Sequence, residues 1–422
     1  MNNKKINEFL KFCKGNEKTA IIDKKRKVSF GRFYEDCLKM KTFLGEKLPR
    51  GEKAILFVYP YSYLFYVLIF GGIMAGTNLV IIDSFTDKER VKKLAESVGC
   101  GYALTGGVAR FSGFKLPKLK KINVDKFGLY EKSSEECGNA SVTTFTSGTT
   151  GFPKAVERSA DFLLDQAEFI RKNITLGEKE VVFCGLPMYS VLSVFSGYTT
   201  VISGKLNPKV TAVITSIKKV LSFPVCRSVK NGFLGGAILY GEEADKISSV
   251  FPCARITYVY GATESALMYK TTLDKYREDL FSFDEKIEGV SVGIENENFE
   301  GVGEISAKGD IVIAGEKHFT GDIGKISGGK LYVYGRKKYS MPEIGFYNYA
   351  ADEKIREDNE NLKAAFSFAM KGKVYVVYKG DLTIKNPDYI YLKLRKIPYD
   401  AKHKTKLDYK KAASLIGVYR EY

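Results

Sequence analysis

The sequence predicts an α/β protein: a large N-terminal domain of layered, mostly parallel sheets with helices, a β-rich subdomain, and a small α+β C-terminal unit. Three observations carry this. The 422 residues exceed what one ordinary core accommodates, so two or three lobes are expected. As far as Tyr260, short apolar β-branched runs alternate with helical patterns, which points to a largely parallel sheet. From about residue 285 the texture changes to short strands with Gly turns. At 45% apolar and 27% charged residues the chain is globular and not disordered.

Taken in order, residues 1–50 read as a helical piece with a hairpin, 19–23 against 27–29, and then a helix over 30–48. In that helix Phe33, Cys37, Leu38, Met40, Phe43 and Leu44 recur at helical spacing. Residues 54–82 contain no charged side chain and are long enough to span a bilayer. Pro60, Gly71-Gly72 and Gly76-Thr77-Asn78 interrupt them, so they parse as strand 54–59, helix 62–75 and strand 78–82, a βαβ unit and not a transmembrane segment. A helix over 86–98, a strand over 101–105 and a Gly- and Lys-rich surface connection over 106–138 follow. Next come helix 158–172, strand 180–186, an apolar stretch over 191–202, helix 211–221, strand 232–238, helix 242–251 and strand 255–260. The β-rich subdomain, about 285–334, offers strands at 303–307, 310–314, 322–326 and 330–333. The last unit, 335–422, has a strand at 373–378, a helix-like stretch near 388–394 and a basic tail.

The net charge is +17, but the lysines are spread along the chain and interleaved with acids. No basic run with interleaved aromatics marks a nucleic-acid partner. A solvated lysine surface accounts for the charge; an acidic carrier protein or the phosphates of CoA are the functional alternative. Seven scattered cysteines without a C-x-x-C argue against a disulfide framework or zinc knuckle and for a reducing, cytoplasmic setting. Two histidines are too few for a His-rich metal site or a His-based triad. The N-terminus lacks the apolar run of a signal peptide.

The chemistry gathers at Val142-Thr-Thr-Phe-Thr-Ser-Gly-Thr-Thr-Gly-Phe-Pro-Lys154. Gly148 and Gly151 permit positive φ and close backbone approach. Successive exposed N–H groups in such a turn form an anion nest. Thr146, Ser147, Thr149 and Thr150 add hydroxyls and Lys154 a point charge, which makes a phosphate cradle, although not with P-loop spacing. The plainer alternative is a polar linker. Three further stretches suit a nucleotide. Tyr260-Gly261-Ala262-Thr263-Glu264 ends a strand and offers an aromatic face, a hydroxyl and a carboxylate suited to Mg²⁺. Thr320-Gly321-Asp322 supplies a carboxylate for two ribose hydroxyls. Gly335-Arg336-Lys337-Lys338 supplies forked donors for ribose or phosphate oxygens. Each alone is ordinary turn chemistry; their order along one chain is what argues for a nucleotide.

Together these stretches resemble the adenylate-forming superfamily of acyl-CoA synthetases, luciferases and peptide-synthetase adenylation domains. Nearly the whole chain is covered: 144–154, Gly235-Gly236-Ala237, 260–264, Gly-Glu-Ile at 303–305, 320–322, 335–338, and a lysine in His403-Lys-Thr-Lys406. The resemblance implies an adenylation domain over 1–334 and a mobile lid over 335–422, hinged near Lys338. It implies that the 146–154 loop holds ATP phosphates, that Gly235, Gly236, Ala237 and Tyr260 border adenine, and that Glu264 holds Mg²⁺. Asp322 and Arg336 would grip ribose, and Lys406 would contact the acid and the α-phosphate.

The implied function is ATP-dependent activation of a carboxylic acid, fatty or hydroxy-fatty, to an acyl-adenylate, then transfer to CoA or to the phosphopantetheine of an acyl carrier protein. The approach Pro398-Tyr-Asp400-Ala-Lys-His403 also resembles the β-lactone synthetases of bacterial olefin biosynthesis, which implies, as the alternative, closure of a β-hydroxyacyl-adenylate by its own hydroxyl. A catalytically silent nucleotide- or acyl-binding homologue is the remaining reading. Tyr189, Ser190 and the apolar run 191–195 fit either an acyl pocket or core packing.

Overall fold

The computed structural model describes all residues except 1–3, 25, 59–61, 83–87, 108–118, 133–137, 139, 147–152, 203–205, 263, 314–316, 400–406 and 418–422. The side chains of residues 4, 57, 88, 146 and 187 are likewise outside the description. The chain divides into two compact units, 1–215 with 226–232, and 216–225 with 233–422.

In the first unit, α1 (Lys4–Cys13) and the hairpin β1 (Thr19–Asp23)–β2 (Arg26–Ser29) lead into α2 (Phe30–Lys47). Ser29 caps α2 by accepting from the Arg32 N–H. The charge-free stretch folds as β3 (Lys53–Phe57), α3 (Tyr63–Ala75) and β4 (Asn78–Val80), the expected βαβ unit. Every residue of α3 from Phe65 to Met74 is buried, so the helix needs no polar face. Its glycines make room: a Cβ on Gly71 would lie 2.6 Å from Met40 Cβ, and one on Gly72 2.7 Å from Leu79 Cδ1. Among the described residues no helix is long and apolar enough to cross a membrane.

Next come α4 (Lys88–Ser97), β5 (Cys100–Thr105), β6 (Lys120–Asn123), β7 (Ser141–Thr146) and β8 (Lys154–Ser159). One six-stranded sheet has the order β6-β5-β3-β4-β7-β8, parallel except for the β7–β8 hairpin. Ile55, Val80, Ala103 and Phe145 pack against Val91 and Leu94 of α4. The expected surface connection over 106–138 therefore contains a paired strand, β6, and a 3₁₀ turn, Val124–Leu129. The unit continues with α5 (Ala160–Asn173), β9 (Val181–Cys184), α6 (Pro187–Phe195), β10 (Thr199–Val201) and β11 (Ala212–Ser216). In this unit β11-β9-β10-β1-β2 form a second sheet, parallel from β11 to β1.

The second unit holds α7 (Ile217–Leu221), α8 (Gly241–Val250), β13 (Arg255–Ala262), β14 (Ala266–Thr272) and α9 (Leu273–Glu278). The division between the units passes through β12 (Asn231–Gly235). The short β15 (Ser282–Phe283) and β16 (Glu285–Lys286) precede the longer antiparallel strands β17 (Ser291–Glu295), β18 (Gly303–Lys308), β19 (His318–Ser327) and β20 (Lys330–Arg336). These form the β-rich layer, in the order β15-β20-β19-β18-β17. Then α10 (Asn348–Glu357) and α11 (Tyr409–Leu415) pack with β21 (Leu362–Met370), β22 (Lys373–Gly380) and β23 (Tyr389–Lys393). Residues of this last segment share one hydrophobic cluster with earlier ones: Tyr240 and Phe281 pack with Phe366, Phe368, Val377 and Leu407.

Three expected elements differ. The helix over 211–221 is half strand: Ala212–Ser216 is a β-branched run buried in a sheet, and only Ile217–Leu221 is helical. Residues 310–313 form a turn and not a strand, with 314 outside the described residues. The helix-like stretch near 388–394 is β23, whose Tyr, Ile and Leu side chains pair in parallel with β22.

Candidate active site

The second unit brings together three of the residues singled out in the sequence: Tyr260, Asp322 and Arg336. Asp322 (β19) and Arg336 (β20) are register partners across the antiparallel pair. Arg336 Nε lies 3.0 Å from Asp322 Oδ1, and Arg336 Nη1 donates to the Thr320 carbonyl at 3.1 Å. The Tyr260 hydroxyl, on β13, donates to Asp322 Oδ2 at 2.9 Å. Thr320-Gly321-Asp322 lies within β19 at a register shift against β18, where Thr320 Oγ1 accepts the Asp322 N–H and donates to the Ile305 carbonyl. Asp322 is 8% exposed. Its Oδ1 receives no aligned hydrogen bond despite the 3.0 Å ion pair, so one buried carboxylate oxygen keeps acceptor capacity. That is the chemistry a ribose hydroxyl requires, and the donor set fits a nucleoside.

Electrostatics keep the Tyr260 phenol and the Arg336 guanidinium protonated. Burial, and then the Asp322 charge, push the Tyr260 phenol well above its ordinary range, so it remains a donor. The Asp322 carboxylate holds the Arg336 guanidinium above its already high value. The Phe283 ring, 5.5 Å from that of Tyr260, backs the phenol. Phe283 carried no signal in the sequence; neither did Tyr349, which interacts electrostatically with the Arg336 guanidinium.

Gly235 ends β12, where a Cβ would meet Val259 Cγ2 and the Val259 carbonyl, both at 2.8 Å. Gly236 follows at φ +85, and the Ala237 carbonyl accepts from Tyr258 at 2.8 Å. Gly261 lies at a bulge in the β13–β14 hairpin. Glu264 sits at the tip of that hairpin, half-buried, with its carbonyl taken by the Ile313 N–H; Thr263 is outside the described residues. Among the described residues no three His, Cys, Asp or Glu side chains gather as a metal cage. One carboxylate is still a fitting donor for Mg²⁺, which commonly takes one or two carboxylates and completes its shell with water and phosphate oxygens. Lys338 is exposed in a 3₁₀ turn directly after β20, its ammonium 5.8 Å from the Tyr339 ring.

In the first unit the predicted phosphate loop is the connection of the β7–β8 hairpin. Thr146 and Lys154 are cross-strand partners at its mouth, and Lys154 is exposed. Ser147, Gly148, Thr149, Thr150 and Gly151 between them lie outside the described residues, as does Lys406 with Asp400 and His403. The 191–195 run belongs to the core: Val191 and Val194 have no exposure, and Phe195 stacks on Phe70 at 4.3 Å. Ser190 is tied to Tyr66 by a buried hydrogen bond of 2.7 Å.

Residues 12–207 match the family described as AMP-binding enzyme. The D-alanine–D-alanyl carrier protein ligase of Bacillus mycoides (strain KBAB4) is 22% identical over 428 positions, covering 86% of this chain and 84% of that protein. The fold is that of the O-succinylbenzoate coenzyme A synthetase MenE from Bacillus subtilis in complex with AMP: TM-score 0.79, 18% identity, 94% of this chain and 96% of that one. ATP-bound MatB from Rhodopseudomonas palustris superposes with TM-score 0.83 at 16% identity, covering 98% of this chain and 99% of that one. With these matches the protein is an AMP-forming ligase. Its first half carries the match to the AMP-binding family, and the whole chain is similar to adenylate-forming enzymes.

Proposed function

We propose that the protein activates a small-molecule carboxylic acid with ATP to an acyl-adenylate, releasing pyrophosphate, and then passes the acyl group to a thiol of CoA or of an acyl carrier protein. The observation that carries this reading is the Tyr260–Asp322–Arg336 cluster, a built ribose grip in a chain whose residues 12–207 match an AMP-binding family.

In this reading Asp322 and Arg336 hold the ribose, and Tyr260 with Gly235, Gly236 and Ala237 borders the base. Thr146 to Gly151 and Lys154 receive the phosphates. Glu264 would hold Mg²⁺, which supplies charge neutralisation at the phosphates. The first step joins two anions: a carboxylate oxygen attacks the α-phosphorus and pyrophosphate departs. Such a step needs positioned cations and N–H donors more than an acid–base pair. A lysine side chain is a cation at neutral pH, and Lys406 suits that role. In the second step a thiol sulfur attacks the acyl carbon and AMP leaves. Residues 335–422 would act as the lid, with Lys338 as its hinge.

Two considerations narrow the acid. The run that would have lined a fatty chain is packed in the core. The relatives' names specify D-alanine and O-succinylbenzoate. Both support a compact acid over a fatty one. The net charge of +17 supports an acidic carrier as acceptor.

The test is ATP–pyrophosphate exchange over a panel of amino, aromatic, fatty and β-hydroxy acids, followed by product mass with and without CoA or carrier protein. One acid drives exchange and yields a thioester, and Lys406→Ala abolishes the exchange. Absence of exchange with every acid defeats the reading. Loss of water from a β-hydroxy acid without any thiol replaces thioester transfer with lactone closure.

A further inference from the structure

Asn348, the first residue of α10, is fully buried, and each of its polar groups is engaged. Its N–H donates to Ser340 Oγ at 3.4 Å, and its carbonyl accepts from Ser367 Oγ at 3.1 Å. Its Oδ1 accepts the Arg336 N–H at 2.7 Å and Ser340 Oγ at 3.3 Å, and its Nδ2 donates to the Tyr409 hydroxyl at 3.1 Å. The orientation of the amide follows from chemistry: a backbone N–H only donates, so the oxygen must face Arg336. Tyr409 opens α11, and its ring stacks on Tyr339 at 3.7 Å and 18°. The residue after Asn348, Tyr349, interacts electrostatically with the Arg336 guanidinium. Thus the main chain of Arg336 is held from the first turn of α10, and that turn is tied to α11.

The same contact explains the glycine that precedes Arg336. A Cβ on Gly335 would stand 2.7 Å from Asn348 Oδ1 and 2.6 Å from Ser340 Oγ. The strand end carrying Arg336 is built around this amide.

We propose that Asn348 is a positioning residue for nucleotide recognition: its carboxamide holds the Arg336 main chain in register with Asp322 and couples that ribose grip to helix α11 through Tyr409. The inference rests on the proposed role of Asp322 and Arg336 on ribose. It adds that α11, remote in sequence from β20, is read out at the sugar.

The experiment compares AMP with 2′-deoxy-AMP by calorimetry on the full chain, because a purely structural amide would lower stability without changing discrimination at the sugar. Asn348→Ala is expected to lower the ratio of AMP to 2′-deoxy-AMP affinity by about three- to tenfold, the loss of one well-aligned hydrogen bond. Tyr409→Phe keeps the ring and its stack, removes only the hydroxyl, and lowers the ratio in the same direction by less. The double variant falls no further than Asn348→Ala, since both act through one amide. An unchanged ratio in folded Asn348→Ala and Tyr409→Phe overturns the proposal; should Asn348→Ala not fold, Tyr409→Phe decides alone. Asp322→Asn separates the two levels. If it retains wild-type AMP affinity, the ribose assignment fails and the inference with it. If it weakens AMP while the other two variants keep their ratio, only the inference fails.

Discussion

Asp322 and Arg336 face each other across β19 and β20: the two-residue turn Gly328-Gly329, with φ of 56° and 80°, sets Ser327 opposite Lys330, and a one-residue register shift between Ile323 and Gly324 then brings Arg336 opposite Asp322. Two positive φ values are the type I′ geometry, whose twist matches the flanking strands and fixes their register. A one-residue slip would turn one of the two side chains to the other face of the sheet. Asp322→Ala leaves the Arg336 charge beside Tyr260 and Tyr349 with its carboxylate gone. A loss of about 3 kcal/mol in urea unfolding is expected. AMP affinity measured by calorimetry should fall at least about tenfold. Arg336→Lys should weaken AMP as well, because an ammonium cannot match the fork that serves the carboxylate and the Thr320 carbonyl together.

Tyr260→Phe isolates the phenol. It removes the donor to Asp322 Oδ2 and keeps the ring against Phe283. The expected cost is about 1 kcal/mol of stability. ATP KM in pyrophosphate exchange should rise a few-fold with kcat changed less. An unchanged KM would show that the hydroxyl contributes nothing to the nucleotide grip.

Gly261→Ala tests the hairpin that carries Glu264. A Cβ at Gly261 would fall 2.1 Å from the Ala266 carbonyl, and backbone cannot move aside as a flexible side chain does. The expected loss is about 2–3 kcal/mol, seen as a lower urea midpoint at unchanged m-value. Gly236→Ala is the contrast. Nothing lies within 4 Å there, so only the positive φ is charged against it, about 1 kcal/mol.

Much of this was legible in the sequence, and the failures have local causes. The βαβ reading of the charge-free stretch survived because Gly71-Gly72 and Gly76 punctuate it where α3 packs and ends. Residues 211–221 failed because a buried strand and a buried helix segment share the same apolar run, and periodicity cannot separate them. The motif around Asp322 and Arg336 was visible as Gly-containing turn chemistry, although Thr320-Gly321-Asp322 lies within β19 and only Arg336 ends a strand. Asn348, Tyr349 and Phe283 were not, because their importance arises from pairing across strands and helices that no local window contains.

Asp352 supplies a pH dependence. It is fully buried and accepts from Tyr240 at 2.7 Å, from Ser367 Oγ at 2.6 Å and from the Ser367 N–H. Burial pushes its carboxyl up from 3.8 to about 7, against the pull of Ser367, Arg356 and Tyr240. Between those values the folded protein keeps a proton that the unfolded chain has released, so this group's contribution to stability falls as pH rises through the window and levels off above it. Burial also raises Glu243 and Glu353, which act in the same sense. In urea unfolding from pH 4.5 to 7.5, Asp352→Asn should gain on the wild type with rising pH, by about 3 kcal/mol across that range. A difference that is flat with pH would show that Asp352 is ionised throughout.

The helix α3 has a consequence for how the first unit lives in a cell. Its residues from Phe65 to Met74 are hidden on every side, and no charged gatekeeper lies within it. Partial opening of this unit would release an uninterrupted apolar segment, the kind that self-associates and recruits chaperones. Variants that loosen the Gly71–Met40 or Gly72–Leu79 contacts should therefore lose soluble yield on expression out of proportion to their lost activity per folded molecule.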